Sequence, residues 1–115
     1  MIPTSACEIY IATSPIDLRQ SFDRLTSIVR EQFGADPRSE ALFVFHNRLR
    51  THIKILARDT SGYWILYKRL DRGCFRIPLP VPPTANRVRI ERRELVLLLD
   101  GIDRAKLREA RRSVR

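Results

Sequence analysis

The sequence predicts a single-domain α+β fold, an antiparallel β-meander sheet with two helices packed on one face. Three observations predict it. Apolar residues recur at helical spacing behind Ser14-Pro15-Ile16-Asp17, at a period of two between turn-forming clusters from 41 to 77, and again at helical spacing just before Gly101. A chain of 115 residues, 43% hydrophobic and 30% charged, has matter for one modest core.

A short strand is expected over residues 8–12. In the first helix, Ser14 is the expected N-cap, Pro15 takes the first helical position and Asp17 supplies the acid of a capping box. Leu18, Phe22, Leu25, Ile28, Val29 and Phe33 then form a core-facing stripe, and Gly34 is the left-handed stop. The meander is expected to hold four strands, broken at residues 47–51, at Asp59-Thr60-Ser61-Gly62 and at Asp71-Arg72-Gly73. With Thr60-Ser61 closing the second hairpin, Ala57 faces Trp64, Ile55 faces Leu66, Arg58 faces Tyr63 and Lys54 faces Tyr67. Trp64 is then expected to be buried against the helices. Carried through the first hairpin, the same pattern sets Phe43 opposite Ile55 and Phe45 opposite Ile53, and a bulge at Gly73 sets Phe75 beside Leu70. The run PLPVPP over 78–83 can form neither sheet interior nor helix and reads as an extended connector. Arg87–Ile90 can form a last strand, and residues 94–99 a helix that Gly101 ends. The domain is expected to span 1–103. A basic tail of 104–115, anchored only by Leu107, Ala110 and Val114, is expected to fray.

The net charge of +9 is unevenly placed: residues 48–93 carry 12 basic and 3 acidic side chains, and residues 1–47 carry 4 and 6. Such density suits a phosphate-bearing partner, which a folded domain binds by releasing counterions. Of the 22 basic residues 19 are Arg, a skew that a GC-rich genome also produces, so background composition with a solvated surface stands as the alternative.

The longest apolar runs, five residues at 41–45 and at 95–99, are far short of the roughly 20 a membrane span needs. The N-terminus has no basic-then-apolar signal pattern, and a cytoplasmic protein is expected. Cys7 and Cys74 stand apart from any Cys-x-x-Cys pattern and are expected to be buried thiols. Asp59, Asp71, Asp100 and Asp103 occupy turn and cap positions, which favour Asp for local geometry. His46 and His52 bracket the first hairpin loop. They could face each other as a metal pair, or be two half-exposed strand-end histidines; no third ligand follows in the pattern. With no phosphate-cradling Gly-rich loop and no nucleophile context, the chain reads as a non-enzyme without cofactor or small-molecule substrate.

The outer sheet face is the sharper signal. His52, Lys54, Arg58, Tyr63, Tyr67, Arg69 and Arg76 are expected to project from it, with Arg48 and Arg50 of the loop HNRLRTH at its rim. Cations interleaved with tyrosines suit phosphates and stacked bases. Equally, they can solvate the open side of a sheet buried on one face.

The strings IYIATSPIDLRQSFDRL, DPRSEALFVFHNR, IKIL followed by Asp59, GYWILYKRLDRGCF and LLLDGID, in this order, resemble the TnpB-type second-reading-frame protein of the sixty-sixth insertion-sequence family of bacterial transposons. The resemblance runs from about Glu8 to Asp103. It departs from the family pattern at Gln20, Ser21, Arg24, Ala57-Arg58 and Glu91, and the tail after Asp103 is this sequence's own. It implies a non-catalytic accessory factor for transposition, with DNA and the transposase of the same element as partners. The alternative is an adaptor that docks on the transposase without touching DNA.

Overall fold

The computed structural model describes residues 8–101; the expected tail of 104–115, Asp103 and Cys7 lie outside the described residues. Five strands and two helices follow in the order β1 (Ile9–Ala12), α1 (Phe22–Glu31), β2 (Leu42–His46), β3 (His52–Arg58), β4 (Tyr63–Arg69), β5 (Arg87–Ile90) and α2 (Arg92–Asp100). They form one sheet of order β4-β3-β2-β1-β5 in which only β1 and β2 run parallel. That parallel pair requires a crossover, which α1 provides. The fold class is the expected α+β, mostly antiparallel.

The expected register of β3 and β4 holds: Ala57 pairs with Trp64, Ile55 with Leu66, Lys54 with Tyr67 and Arg58 with Tyr63. The first hairpin differs by one residue. Phe43 pairs with Leu56, Val44 with Ile55, Phe45 with Lys54 and His46 with Ile53. The reason is the loop, which is one residue longer than an alternation-matched pairing needs. The backbone N–H of Asn47 donates to His52 O, and the Asn47 side-chain oxygen accepts the backbone N–H groups of Thr51 (2.9 Å) and His52 (3.1 Å). The Asn47 amide donates to Thr51 Oγ1 at 3.0 Å, and Arg50 takes the left-handed conformation at φ 59° to close the turn.

A one-residue slip moves a strand's side chains to the other face. Phe43 and Phe45 therefore lie with Leu56 against Leu25, Ile28 and Val29 of α1, while Ile9, Ile11, Val44, Ile53 and Ile55 pack with Leu95 and Leu98 of α2. The two helices, expected together, cover opposite faces. β2 is buried on both sides, so its apolar run carries no period-two signal to show which residue faces where.

The fourth meander strand does not form. Phe75 and Ile77 run as irregular chain into the α2-side core, beneath which Phe75 N–H donates to Arg50 O and Leu70 packs against the same cluster. Nor does Ser14 cap α1. Ile16 N–H donates to His46 O and Thr13 N–H to Asn86 O, which keeps the segment extended beside β2, while Asp17 accepts Arg19 N–H and closes a turn through Gln20 N–H. The helix starts at Phe22 with Ser21 at its N-cap, so Phe22 is exposed and only Leu25, Ile28 and Val29 of the expected stripe are buried within the helix, flanked by buried Leu18 and Phe33. Gly34, at φ 61°, is the expected stop.

α2 starts with Glu91 N–H donating to the Glu94 carboxylate at 3.0 Å. It ends at Gly101, where φ 71° with ψ 179° is backbone open essentially to glycine alone. Lys68 Nζ donates to Leu99 O at 2.7 Å, setting a cation at the negative end of the helix. Trp64 is 37% exposed rather than buried, because it sits on the edge strand outside the cluster that α2 covers. Cys74 is a free, half-buried thiol. Among the described residues no helix is long and apolar enough to cross a membrane.

Since Asn47 holds two backbone N–H groups and one hydroxyl together, Asn47→Ala is expected to lower the unfolding free energy by about 1–3 kcal/mol in a denaturant titration. A change below about 0.5 kcal/mol, as at an ordinary surface site, would deny it the register-setting role.

Candidate nucleic-acid interface

The β3–β4 hairpin is shaped by its turn. Asp59 N–H donates to Gly62 O, and Asp59 Oδ1 accepts the backbone N–H groups of Ser61 and Gly62, both at 2.9 Å. Its other oxygen accepts the indole N–H of Trp64 at 2.6 Å. These donors, the indole first, hold the Asp59 carboxyl well below the usual carboxylate range.

On the α1 side, the cross-strand pairs put a cation or imidazole of β3 opposite each polar residue of β4: His52 with Arg69, Lys54 with Tyr67, Arg58 with Tyr63. Lys54 Nζ lies 5.1 Å from the centre of the Tyr67 ring and donates to Gln20 O at 2.9 Å. The Arg58 guanidinium lies 4.7 Å from the Tyr63 ring centre, and the His52 and Tyr67 rings are 5.9 Å apart. α1 packs on Phe43, Phe45 and Leu56, with Tyr63 and Ile65 at the margin of that cluster. Tyr67 lies beyond it, 58% exposed, beside exposed Arg69.

Arg48 and Arg50 are exposed on the adjoining loop, and Arg48 lines a shallow cleft with Leu49, Asn47, Asp17 and Leu18. A second cleft shares Asp17, Leu18 and Asn47 and runs to Arg19, His52, Lys54 and Tyr67. The structure thus brings Arg48, His52, Lys54, Arg58, Tyr67 and Arg69 to one side of the sheet; Arg50 is exposed on the adjoining loop, its carbonyl accepting the N–H of Phe75 from the α2-side core. Arg76 is not among them: it lies in the irregular segment after β4 and lines a groove on the α2 side with Pro78, Ile90, Glu94 and Leu97. Arg76 was placed on the outer face by a fourth strand that does not exist.

Sequence reasoning missed the turn at Asp17, which forms the wall of both clefts. Arg19 donates to both Asp17 oxygens, its Nη2 at 2.6 Å, and this pairing with the Arg19 backbone N–H lowers the Asp17 carboxyl to about 2. The pair is open to solvent and adds little stability, but it neutralises an acid at the edge of a cationic cleft. The string Asp-Leu-Arg carries the signal, an Asx turn with the cation two residues on.

His46 and His52 do not converge. His46 is fully buried with Nε2 against Ala12 O at 2.9 Å and Nδ1 against Asn47 O at 3.1 Å. It pairs with Ile53 on the α2 side, whereas His52 faces the α1 side, with Nδ1 against Thr51 Oγ1 at 2.8 Å. His46 is thus not the half-exposed strand-end residue of the second alternative, whereas His52, half-buried at the start of β3, is. Among the described residues no group of three or more His, Cys, Asp or Glu side chains could hold a metal ion.

A family model described as "IS66 Orf2 like protein" matches residues 7–109. Two curated proteins of Sinorhizobium fredii (strain NBRC 101917 / NGR234) are similar. The uncharacterized protein y4hO is 34% identical over 104 residues, covering 90% of this chain and 88% of the relative. The uncharacterized protein y4jC is 32% identical over 101 residues, covering 88% and 84%. No solved structure matches significantly.

A carboxyl held low in the folded state stabilises it above the unfolded value of about 4 and loses that contribution as pH falls through the folded value. Below about pH 4, therefore, the emission of Trp64, the one tryptophan, is expected to shift as its Asp59 partner protonates. In Asp59→Asn, with an amide nitrogen able to replace the accepting oxygen, the acid-form emission should be present at neutral pH and the transition absent. Identical pH curves for the two proteins would show that another group governs it.

Proposed function

The chain belongs to the IS66 Orf2-like family of insertion-sequence accessory proteins, and we propose that it serves transposition as a non-catalytic factor contacting DNA through the open β3–β4 face and the 47–51 loop. Its partner in this reading is the transposase of the same element. The observation that carries the reading is the pairing of Lys54 over Tyr67 and Arg58 over Tyr63 on a face that α1 leaves partly uncovered, with Arg48, Arg50 and Arg69 around it. Phosphates meet cations there, and base or sugar rings meet tyrosines. The net charge of +9 favours the same class of partner.

A second reading, an adaptor that docks on the transposase without binding DNA, draws on exposed apolar side chains elsewhere: Leu79, Val81, Val96 and Leu97. Exposed apolar groups of this kind suit protein contact.

Salt dependence separates the two. Replacing Arg48, Arg50, Lys54 and Arg69 together by Gln in the full chain should flatten the log–log salt slope of DNA binding by about 3 to 4 units, while the fold survives because these side chains project from the surface. An unchanged slope would move the DNA contact away from this face, and no salt-dependent DNA binding by the wild-type chain, with transposase capture retained, would put the adaptor first. With magnesium or manganese present, the protein is expected neither to cleave nor to join DNA. Metal-dependent cleavage lost in Asp59→Asn or Asp100→Asn would overturn the non-catalytic reading.

A further inference from the structure

The face has a feature that phosphate binding does not use. β4 is the edge strand, so Tyr67 has cross-strand neighbours only on the β3 side, Lys54 directly opposite and His52 diagonal to it. Among the described residues the sheet ends on the other side. The ring is thus backed by a cation 5.1 Å from its centre and by an imidazole at 5.9 Å, and is more than half open to solvent. Tyr63 repeats the pairing with Arg58 but packs toward the α1 cluster, so Tyr67 is the accessible ring.

From this geometry, and resting on the DNA-contacting reading above, we propose that the ligand of the face is an unpaired DNA strand with one base stacked on Tyr67. Its flanking phosphates are held by Lys54, Arg69 and the arginines of the 47–51 loop. A duplex keeps its base faces inside the stack and would offer this ring only sugar and phosphate edges, whereas an unpaired base presents a flat π-face to an aromatic platform. A cation behind the ring adds to the arrangement, because the tyrosine is then held between two partners. The preference runs against simple electrostatics: duplex DNA has the higher charge density, so a surface that read charge alone would favour the duplex.

The test measures binding of the full chain to a fluorescein-labelled mixed-sequence DNA strand of about 15 nucleotides, within the site sizes of single-strand binders, and to the same strand annealed to its complement. Wild type should bind the single strand more tightly than the duplex. Tyr67→Ala should weaken single-strand binding by about 5- to 100-fold, the worth of one stacked base, and change duplex binding by less than about twofold. Tyr67→Phe should keep the wild-type preference. Tyr67 is mostly exposed, and matching circular dichroism and thermal transitions check that the variants fold. Equal or tighter duplex binding by wild type, or equal losses on both DNAs in Tyr67→Ala, would overturn the proposal. If the duplex is bound with a steep salt slope and Tyr67→Ala changes nothing, the stacking site falls and the DNA-contacting reading stands. If neither DNA is bound, both fall.

Discussion

The side-chain amide of Asn47 determines how many residues the β2–β3 loop holds, and through that number it determines the architecture of the sheet. It gathers the backbone N–H groups of Thr51 and His52 and the Thr51 hydroxyl, leaving Arg50 to turn the chain in a left-handed conformation. With the loop so closed, His46 lies opposite Ile53, and the Phe43–Phe45 pair faces away from Ile53 and Ile55. Two apolar faces result, and each must be covered. α1 takes one and α2 the other. α1 reaches only the middle of its face, which is why the β3–β4 margin stays open and why the cations and tyrosines gathered there are accessible.

What could be read from the sequence was decided by how much of each element is set locally. The β3–β4 register was legible because its turn is a short Asp-to-Gly loop closed by its own side-chain and backbone bonds. Most of the candidate interface follows from that hairpin and was legible with it. β2 was not, since Phe43, Val44, Phe45 and His46 are all buried and nothing in their order marks a side. The parallel pairing of β1 with β2 was hidden for a different reason: it depends on a crossover between distant residues. Around Ser14 the local signal pointed the wrong way. Ser-Pro-x-Asp favours a helix start, yet the bonds from Ile16 to His46 O and from Thr13 to Asn86 O hold that segment to the sheet, and Asp17 is used in its own turn. Arg76 was misplaced by extending a correct local register beyond the elements that support it, whereas Trp64 has the expected register and is exposed because it lies on the edge strand outside the α2-side cluster.

The interface is also tied into the fold. Lys54 reaches Gln20 O just before α1, so the cation beside Tyr67 is positioned by the same turn that carries Asp17 and Arg19. On the next residue of β4 the direction reverses, and Lys68 reaches across the other face to the last turn of α2. Alternate side chains of one strand thereby serve the proposed interface and a helix end.

The position of β4 at the sheet edge has a bearing on solubility. Among the described residues its seven, YWILYKR, have no strand beside one row of backbone N–H and C=O groups, and such a row can recruit a second chain into a continuous sheet. β5, at the opposite edge, is four residues long and carries Arg87 and Arg89. On β4 the guard is the Lys68-Arg69 end, and Arg58 beside Tyr63 at the other. The cations of the proposed interface are therefore also what discourages the protein from stacking on itself, so that removing charge at this edge exposes it to self-association, whatever it does to a ligand.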